Sequence, residues 1–155
     1  MSDIERAKAV AEDFNAMSGL EFLQKQMAGG VTSPMSETMN MRVVAAADGM
    51  AKIEGIPAAK FFNPMMRIHG GFTATLMDAA LGCAVCTKLP AGKGVGTVQL
   101  SVNFVRKIDL ETGPLIATSH VLHAGRTMLT AEAKLEDLKG VLYAHGTGTF
   151  LVYPK

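Results

Sequence analysis

The chain has 155 residues, enough for one domain with a full core and too few for two ordinary ones. With 48% apolar and 19% charged residues it reads as a soluble globular protein, and a net charge of +1 with scattered Lys and Arg leaves no electrostatic footprint for a nucleic-acid partner. No apolar run approaches the roughly 20 residues of a membrane span, and the start Met1-Ser2-Asp3-Ile4-Glu5-Arg6 lacks a signal-peptide pattern, so a cytoplasmic protein with no membrane partner is expected.

Ser2 and Glu5 form a capping box that opens a helix, with Ile4, Ala7, Val10, Phe14 and Met17 on one face. Gly19 ends or bends it. Ser18 and Glu21 repeat the cap for a short second helix that should stop at Gly29-Gly30. Residues 1–30 are thus an N-terminal helical extension and 31–155 the main domain. Met35, Glu37, Met39, Met41 and Val43 alternate with Ser36, Thr38, Asn40 and Arg42, which predicts a half-buried strand. Asp48-Gly49 is a hairpin turn, and residues 50–60 return as a second strand.

A loop containing Asn63-Pro64 leads to an apolar helix over about residues 70–87. Pro90, Gly92, Gly94 and Gly96 interrupt the chain after it. The run Gly92-Lys93-Gly94-Val95-Gly96 lacks the Walker spacing and is read as a loop, with Lys93 a candidate phosphate contact. Val98, Leu100, Val102 and Phe104 alternate with polar residues as a strand. Two more strands, 115–124 and 127–137, flank the tight turn Gly125-Arg126, and Asp137-Leu138-Lys139-Gly140 turns into a last strand over 141–152.

Short links after the central helix make the strands antiparallel. The central helix carries no polar stripe, and a helix apolar nearly all round is expected to be buried all round. The prediction is an α+β, hot-dog arrangement, a five- to six-stranded antiparallel sheet wrapped around one helix.

The chemistry concentrates in His69-Gly70-Gly71-Phe72-Thr73-Ala74-Thr75-Leu76-Met77-Asp78-Ala79. A lone carboxylate among Leu76, Met77, Ala79, Ala80 and Leu81 is costly to bury unless something pairs or uses it. It is either a structural carboxylate bonded to a nearby cap or hydroxyl, or a site residue. His69 is likewise either a turn histidine or part of that site. The pair Gly70-Gly71 allows close approach to the backbone, and free N–H groups at a helix start can receive negative charge on an oxygen. Gly70 and Asp78 are eight residues apart, about 12 Å along a helix. Groups acting on one carbonyl must each lie within about 3 Å of it. One chain cannot bring them together, so a joint role requires two subunits and an obligate C₂ dimer with two equivalent sites.

The pattern Asn63-Pro64, His69-Gly70-Gly71, Thr75-Leu76-Met77-Asp78, Gly94-Val95-Gly96-Thr97-Val98 and Ala124-Gly125-Arg126-Thr127 resembles the hot-dog acyl-CoA thioesterases. Within them it is most similar to the phenylacetate-pathway (PaaI-like) and THEM2-like group, over about residues 35–152. The resemblance implies that Asp78 is the general base activating water, or the nucleophile of a mixed anhydride. The Gly70 N–H would polarise the thioester carbonyl from the other subunit, helped by the helix dipole. Asn63 matches a position that orients the water or the thioester, His69 shapes the turn beside it, and Thr97 falls where relatives carry a Ser or Thr near the carboxylate. Gly71 would open the backbone to substrate, and Arg126 and Thr127 match a hairpin that touches the CoA arm. Arg67 could pair with Asp78, meet a CoA phosphate or be solvated.

The remaining candidates are plainer. Cys83 and Cys86 have C-x-x-C spacing but lie late in the helix, where buried structural thiols are expected. His120, His123 and His145 lack metal-ligand spacing, so no metal is expected, and the implied chemistry needs no cofactor. Among eleven methionines, Met65, Met66 and Met77 border the site and are candidates for an acyl channel taking a medium chain or an aryl group. The leading function is hydrolysis of an acyl-CoA by a homodimer, with a dimer of dimers left open. The alternatives are a non-catalytic acyl-CoA binder or sensor, and a hot-dog dehydratase or hydratase using His69.

Overall fold

The computed structural model describes residues 1–154. Helix α1 (Asp3–Ala16) is followed by α2 (Gly19–Met27) and a short α3 (Pro34–Thr38). Strands β1 (Met41–Ala47) and β2 (Met50–Gly55) form a hairpin at Asp48-Gly49. The central helix α4 (Gly70–Cys86) comes next, then β3 (Lys93–Phe104), β4 (Leu115–Ala124), β5 (Met128–Asp137) and β6 (Leu142–Pro154). Every pairing is antiparallel, in the order β1-β2-β4-β5-β6-β3, and α4 lies across one face of the six-stranded sheet. This is the hot-dog fold with an N-terminal helical extension.

Packing follows the two periodicities. Phe72, Leu76, Met77, Ala80, Leu81 and Val85 recur at helical spacing and bury against Ile53, Leu115, Ala117, Leu135 and Phe150 from alternating strand positions. Gly55 lets β2 approach the helix closely, since a Cβ there would come within 2.7 Å of Leu76. The capping boxes Ser2/Glu5 and Ser18/Glu21 both form as their spacing predicts. Gly29 ends the α2 segment with φ of +98°.

Four expectations are corrected. The alternating segment from Met35 is helical through Thr38, because Ser33 accepts the Ser36 N–H and Pro34 at the first helical position presets the turn; β1 begins only at Met41. Lys93-Gly94-Val95-Gly96 belongs to β3 and not to a loop. Gly94 and Gly96 pair with β6, where the Tyr153 ring fills the space that a Cβ at Gly94 would enter at 2.7 Å. The α1 face of Ile4, Ala7 and Phe14 contributes no buried residue. Helix α4 is buried on its sheet side only, leaving Thr75, Asp78, Ala79, Gly82 and Cys83 half-buried within one chain.

Candidate functional site

Helix α4 is started by His69, whose Nδ1 accepts the Gly71 N–H at 2.8 Å. A neutral imidazole used in this way carries its proton on Nε2. The Gly70 N–H, at the first helical position, donates to no backbone cap or turn acceptor among the described residues. It opens onto a cavity of about 330 Å³ lined also by Thr73, Phe104 and the cations Arg67, Arg106 and Lys107. Arg106 and Lys107 were not among the sequence candidates; the signal for them was their place immediately after β3, which the pairing with β6 carries to the Gly70 end of α4.

The loop before α4 is ordered by its asparagine. Asn63 Oδ1 accepts the Met65 and Arg67 N–H groups at 2.9 and 3.1 Å, and its own N–H donates to the Arg67 carbonyl at 2.7 Å. This leaves the Asn63 side-chain NH₂ as the group able to donate elsewhere. The turn leaves Met66 64% exposed and Met65 more so, beside Arg67, whose guanidinium donates to the Met66 carbonyl and, among the described residues, forms no ion pair with Asp78.

Asp78 lies two turns along α4, half-buried, and Oδ1 accepts the Thr97 hydroxyl of β3 at 3.0 Å. Asp78, Ala79, Gly82, Cys83, Val95 and Thr97 line a groove of about 280 Å³. Gly70 is brought close to Phe104 instead: a Cβ on Gly70 would meet that ring at 3.4 Å. The two halves of the candidate site thus lie against different stretches of β3, Asp78 beside Thr97 near its middle and Gly70 beside Phe104 at its end, about 12 Å apart along α4. Asp78 and the Gly70 N–H do not meet within one chain.

The hairpin Gly125-Arg126-Thr127 lies near the Asp78 end. The Thr127 carbonyl accepts the Val152 N–H at 2.9 Å, and Thr97 and Leu129 both pair with Phe150 of the strand between them. Arg126 is exposed. Met77 is a correction: it is 0% exposed inside the core and lines none of these cavities, because its position on α4 faces the sheet. It packs the fold and is not available as a channel wall.

Neither Cys83 nor Cys86 is in a disulfide. Part of Cys83 opens onto the groove, yet the packing around its sulfur is dense, and burial first, then Cys86 and Asp78, pushes its pKa up to about 12. Such a thiol is neither nucleophilic nor redox-poised. Among the described residues no group of three His, Cys, Asp or Glu could hold a metal, and no helix is long and apolar enough to cross a membrane. His120 and His145 lie on the other face of the sheet, in a polar depression of about 610 Å³ with Lys52, Glu132 and Lys134.

The thioesterase superfamily model matches residues 66–144, half of the chain, which spans α4 and the sheet strands beside it. The chain belongs to the thioesterase superfamily. A candidate esterase of Halobacterium salinarum is 36% identical over 94 residues, covering 56% of this chain and 60% of its own. The acyl-coenzyme A thioesterase THEM4 of Bos taurus is 32% identical over 111 residues, covering 71% of this chain and 40% of its own. The chain thus spans about half the length of these curated relatives. Among solved structures, a conserved protein of Pseudomonas aeruginosa superposes with a TM-score of 0.73 at 30% identity, over 84% of this chain and 98% of its own.

Proposed function

We propose that the protein hydrolyses acyl-CoA thioesters to free acid and CoA, as a homodimer with two sites, each built from both subunits. The observation that carries this reading is the division of labour along β3: Asp78 and Thr97 near its middle, the unpaired Gly70 N–H and Phe104 at its end. β3 is one of the two edge strands of the sheet, twelve residues long, with Val98 55% and Phe104 57% exposed. A long apolar edge of that kind needs cover. Antiparallel pairing of two β3 strands about an axis between Leu100 and Ser101 would bring Phe104 of one subunit opposite Thr97 of the other. The Gly70 N–H would then face the partner subunit's Asp78.

In that arrangement Asp78 takes the proton of a water that attacks the thioester carbonyl, or itself attacks to give an anhydride that water opens. Negative charge develops on the carbonyl oxygen, where the Gly70 N–H and the positive end of α4 stabilise it, and the CoA thiolate departs. Thr97 holds the Asp78 carboxylate in place through its hydroxyl, and the Asn63 NH₂ and His69 Nε2–H are donors flanking the carbonyl. Gly71, its N–H given to His69, keeps the approach free of a side chain. Arg126 from one subunit, with Arg67, Arg106 and Lys107 from the other, supplies positive charge for the CoA phosphates, and the Thr127 hydroxyl can donate a hydrogen bond to them. The exposed Met66 is an apolar surface for a medium-chain or aryl acyl group.

The test is CoA release, followed with a thiol-reactive dye across acetyl-, hexanoyl-, decanoyl-, palmitoyl- and phenylacetyl-CoA, for wild type and Asp78→Asn. Turnover that falls at least about 100-fold in Asp78→Asn while acyl-CoA still binds is the expected result. A folded wild type that binds acyl-CoA and releases no thiol would make the protein an acyl-CoA binder.

A further inference from the structure

Helix α4 and its C-cap carry three threonines, and two of them spend their hydroxyls on the helix itself. Thr75 donates to the Gly71 carbonyl at 2.8 Å, and Thr87 donates to the Ala84 carbonyl at 2.6 Å. Thr73 does neither. It is 3% exposed, yet its hydroxyl forms no hydrogen bond among the described residues. The unpartnered side-chain atoms sealed from solvent belong to Arg6, Gln26 and Ser119, so the Thr73 hydroxyl, unpartnered but not sealed, keeps accessible surface.

That surface is at the start of α4, where Thr73 and Gly70 line the same cavity of about 330 Å³. A helical side chain leans toward the N-terminus, which lays Thr73 over the turn that Gly70 opens, three residues earlier on the same face. The free N–H and the uncommitted hydroxyl thus face one space. The space is graded: Ile68, Thr73 and Ile108 are buried at its floor, while Arg67, Arg106 and Lys107 are exposed at its mouth. A hydrated phosphate belongs with the cations at the mouth. The floor suits a neutral oxygen that becomes charged only as it reacts. Valine would fill the shape of Thr73 among these apolar neighbours without leaving a hydroxyl unpaired, so the hydroxyl serves something that enters from outside the chain.

We propose that Thr73 is a second donor to the thioester carbonyl oxygen, beside the Gly70 N–H. The inference rests on the hydrolase reading of this site. As water or the partner subunit's Asp78 adds to the carbonyl carbon, the C=O electron pair moves onto oxygen. Thr73 donates a hydrogen bond to that oxygen and keeps its own proton. The pair then returns, the C–S bond breaks and the CoA thiolate leaves. Donation strengthens as charge on the oxygen grows, so the hydroxyl lowers the barrier more than it tightens binding.

The test follows thiol release by wild type, Thr73→Val and Thr73→Ser from decanoyl-CoA and from decanoyl-N-acetylcysteamine, which has the same reacting carbonyl and no phosphate. Thr73→Val should lose about 100-fold in kcat on decanoyl-CoA, with KM within about twofold of wild type, and about as much in kcat/KM on the short thioester. Thr73→Ser should keep most of the rate. Because Thr73→Val removes an unpaired hydroxyl, its urea midpoint should be no lower than that of wild type, which separates lost rate from lost structure. An active wild type matched by Thr73→Val would overturn the donor role and leave the hydrolase reading standing. A raised KM for decanoyl-CoA alone, with the short thioester untouched, would put the hydroxyl on a phosphate and also overturn it. A wild type that releases no thiol from either would overturn the hydrolase reading and the donor role together. Should Thr73→Val not fold, Thr73→Ala against Thr73→Ser makes the same comparison, and equal rates in those two would overturn the role.

Discussion

Asp137 shows how much structure one side chain can hold. Its Oδ1 accepts the Lys139 and Val141 N–H groups at 2.8 and 3.0 Å, closing the turn between β5 and β6, and Tyr143 donates to Oδ2 at 3.4 Å. The Val141 N–H above all, aided by Lys139 and Tyr143, lowers its carboxyl below the usual carboxylate range. A depressed folded pKa contributes stability above the unfolded value of about 3.9, and that stability is lost as pH falls through the folded value. Asp137→Asn should therefore lower the unfolding midpoint at pH 7, with the gap to wild type closing as denaturant melts are taken below about pH 4. Cys83 is the opposite case. With a pKa of about 12 its thiolate fraction at pH 8 is on the order of one in ten thousand, so iodoacetamide should leave Cys83 unmodified in the native protein and label it after unfolding, as read by peptide mass.

At the level of elements, the position of α2 decides the most. The ideal Cβ of an alanine at Gly19 would lie 1.9 Å from the Cys86 carbonyl oxygen, a backbone atom with no freedom to withdraw. Gly19→Ala should destabilise the protein by about 1–3 kcal/mol, measured by urea unfolding. The element boundaries read well where the signal was local. Both capping boxes, the Asp48-Gly49 turn, the Gly125-Arg126 turn and the α4 start at His69 need only neighbours within four residues, and all are where their residues predict. Alternation misled at Met35 because the Ser33-Pro34 helix start, equally visible, acts more strongly over five residues than a period of two. Glycines misled at Gly94 because the ring that fills their place, Tyr153, comes from a strand almost sixty residues later.

For the whole molecule the decisive feature is the exposed β3 edge and the two separated parts of the candidate site along it. Asp78→Ala and Gly70→Pro should each be inactive. Proline is tolerated at the first position of a helix, so the second change removes the N–H with little harm to α4. Mixing the two inactive proteins under conditions of subunit exchange should restore roughly a quarter of wild-type activity, since half the dimers are mixed and each carries one complete site. CoA release that stays at zero, with mixed dimers demonstrated by native mass spectrometry, would mean that each site lies within one subunit.

By itself the sequence determined most of the elements, the antiparallel sense of the strands and the apolar helix among them, because hydrophobic period, caps and turns are written in adjacent residues. That β3 pairs with β6 and not with β4, the next strand in the chain, came only from the tertiary structure. The sequence also isolated Asp78 as a carboxylate in an apolar run and Gly70 as a bare helix start, too far apart on one helix to act together. Tertiary structure alone decided what those groups touch. Thr97 reaches Asp78, Phe104 flanks Gly70, Met77 turns inward to the core, and Arg106 and Lys107 arrive beside the helix start. The same packing seats α2 beside the end of α4, where Gly19 donates to the Leu89 carbonyl. Contacts of this kind join residues 19 to more than 50 positions apart, and their pairing depends on strand register and the angle of α4 across the sheet, which no local pattern encodes.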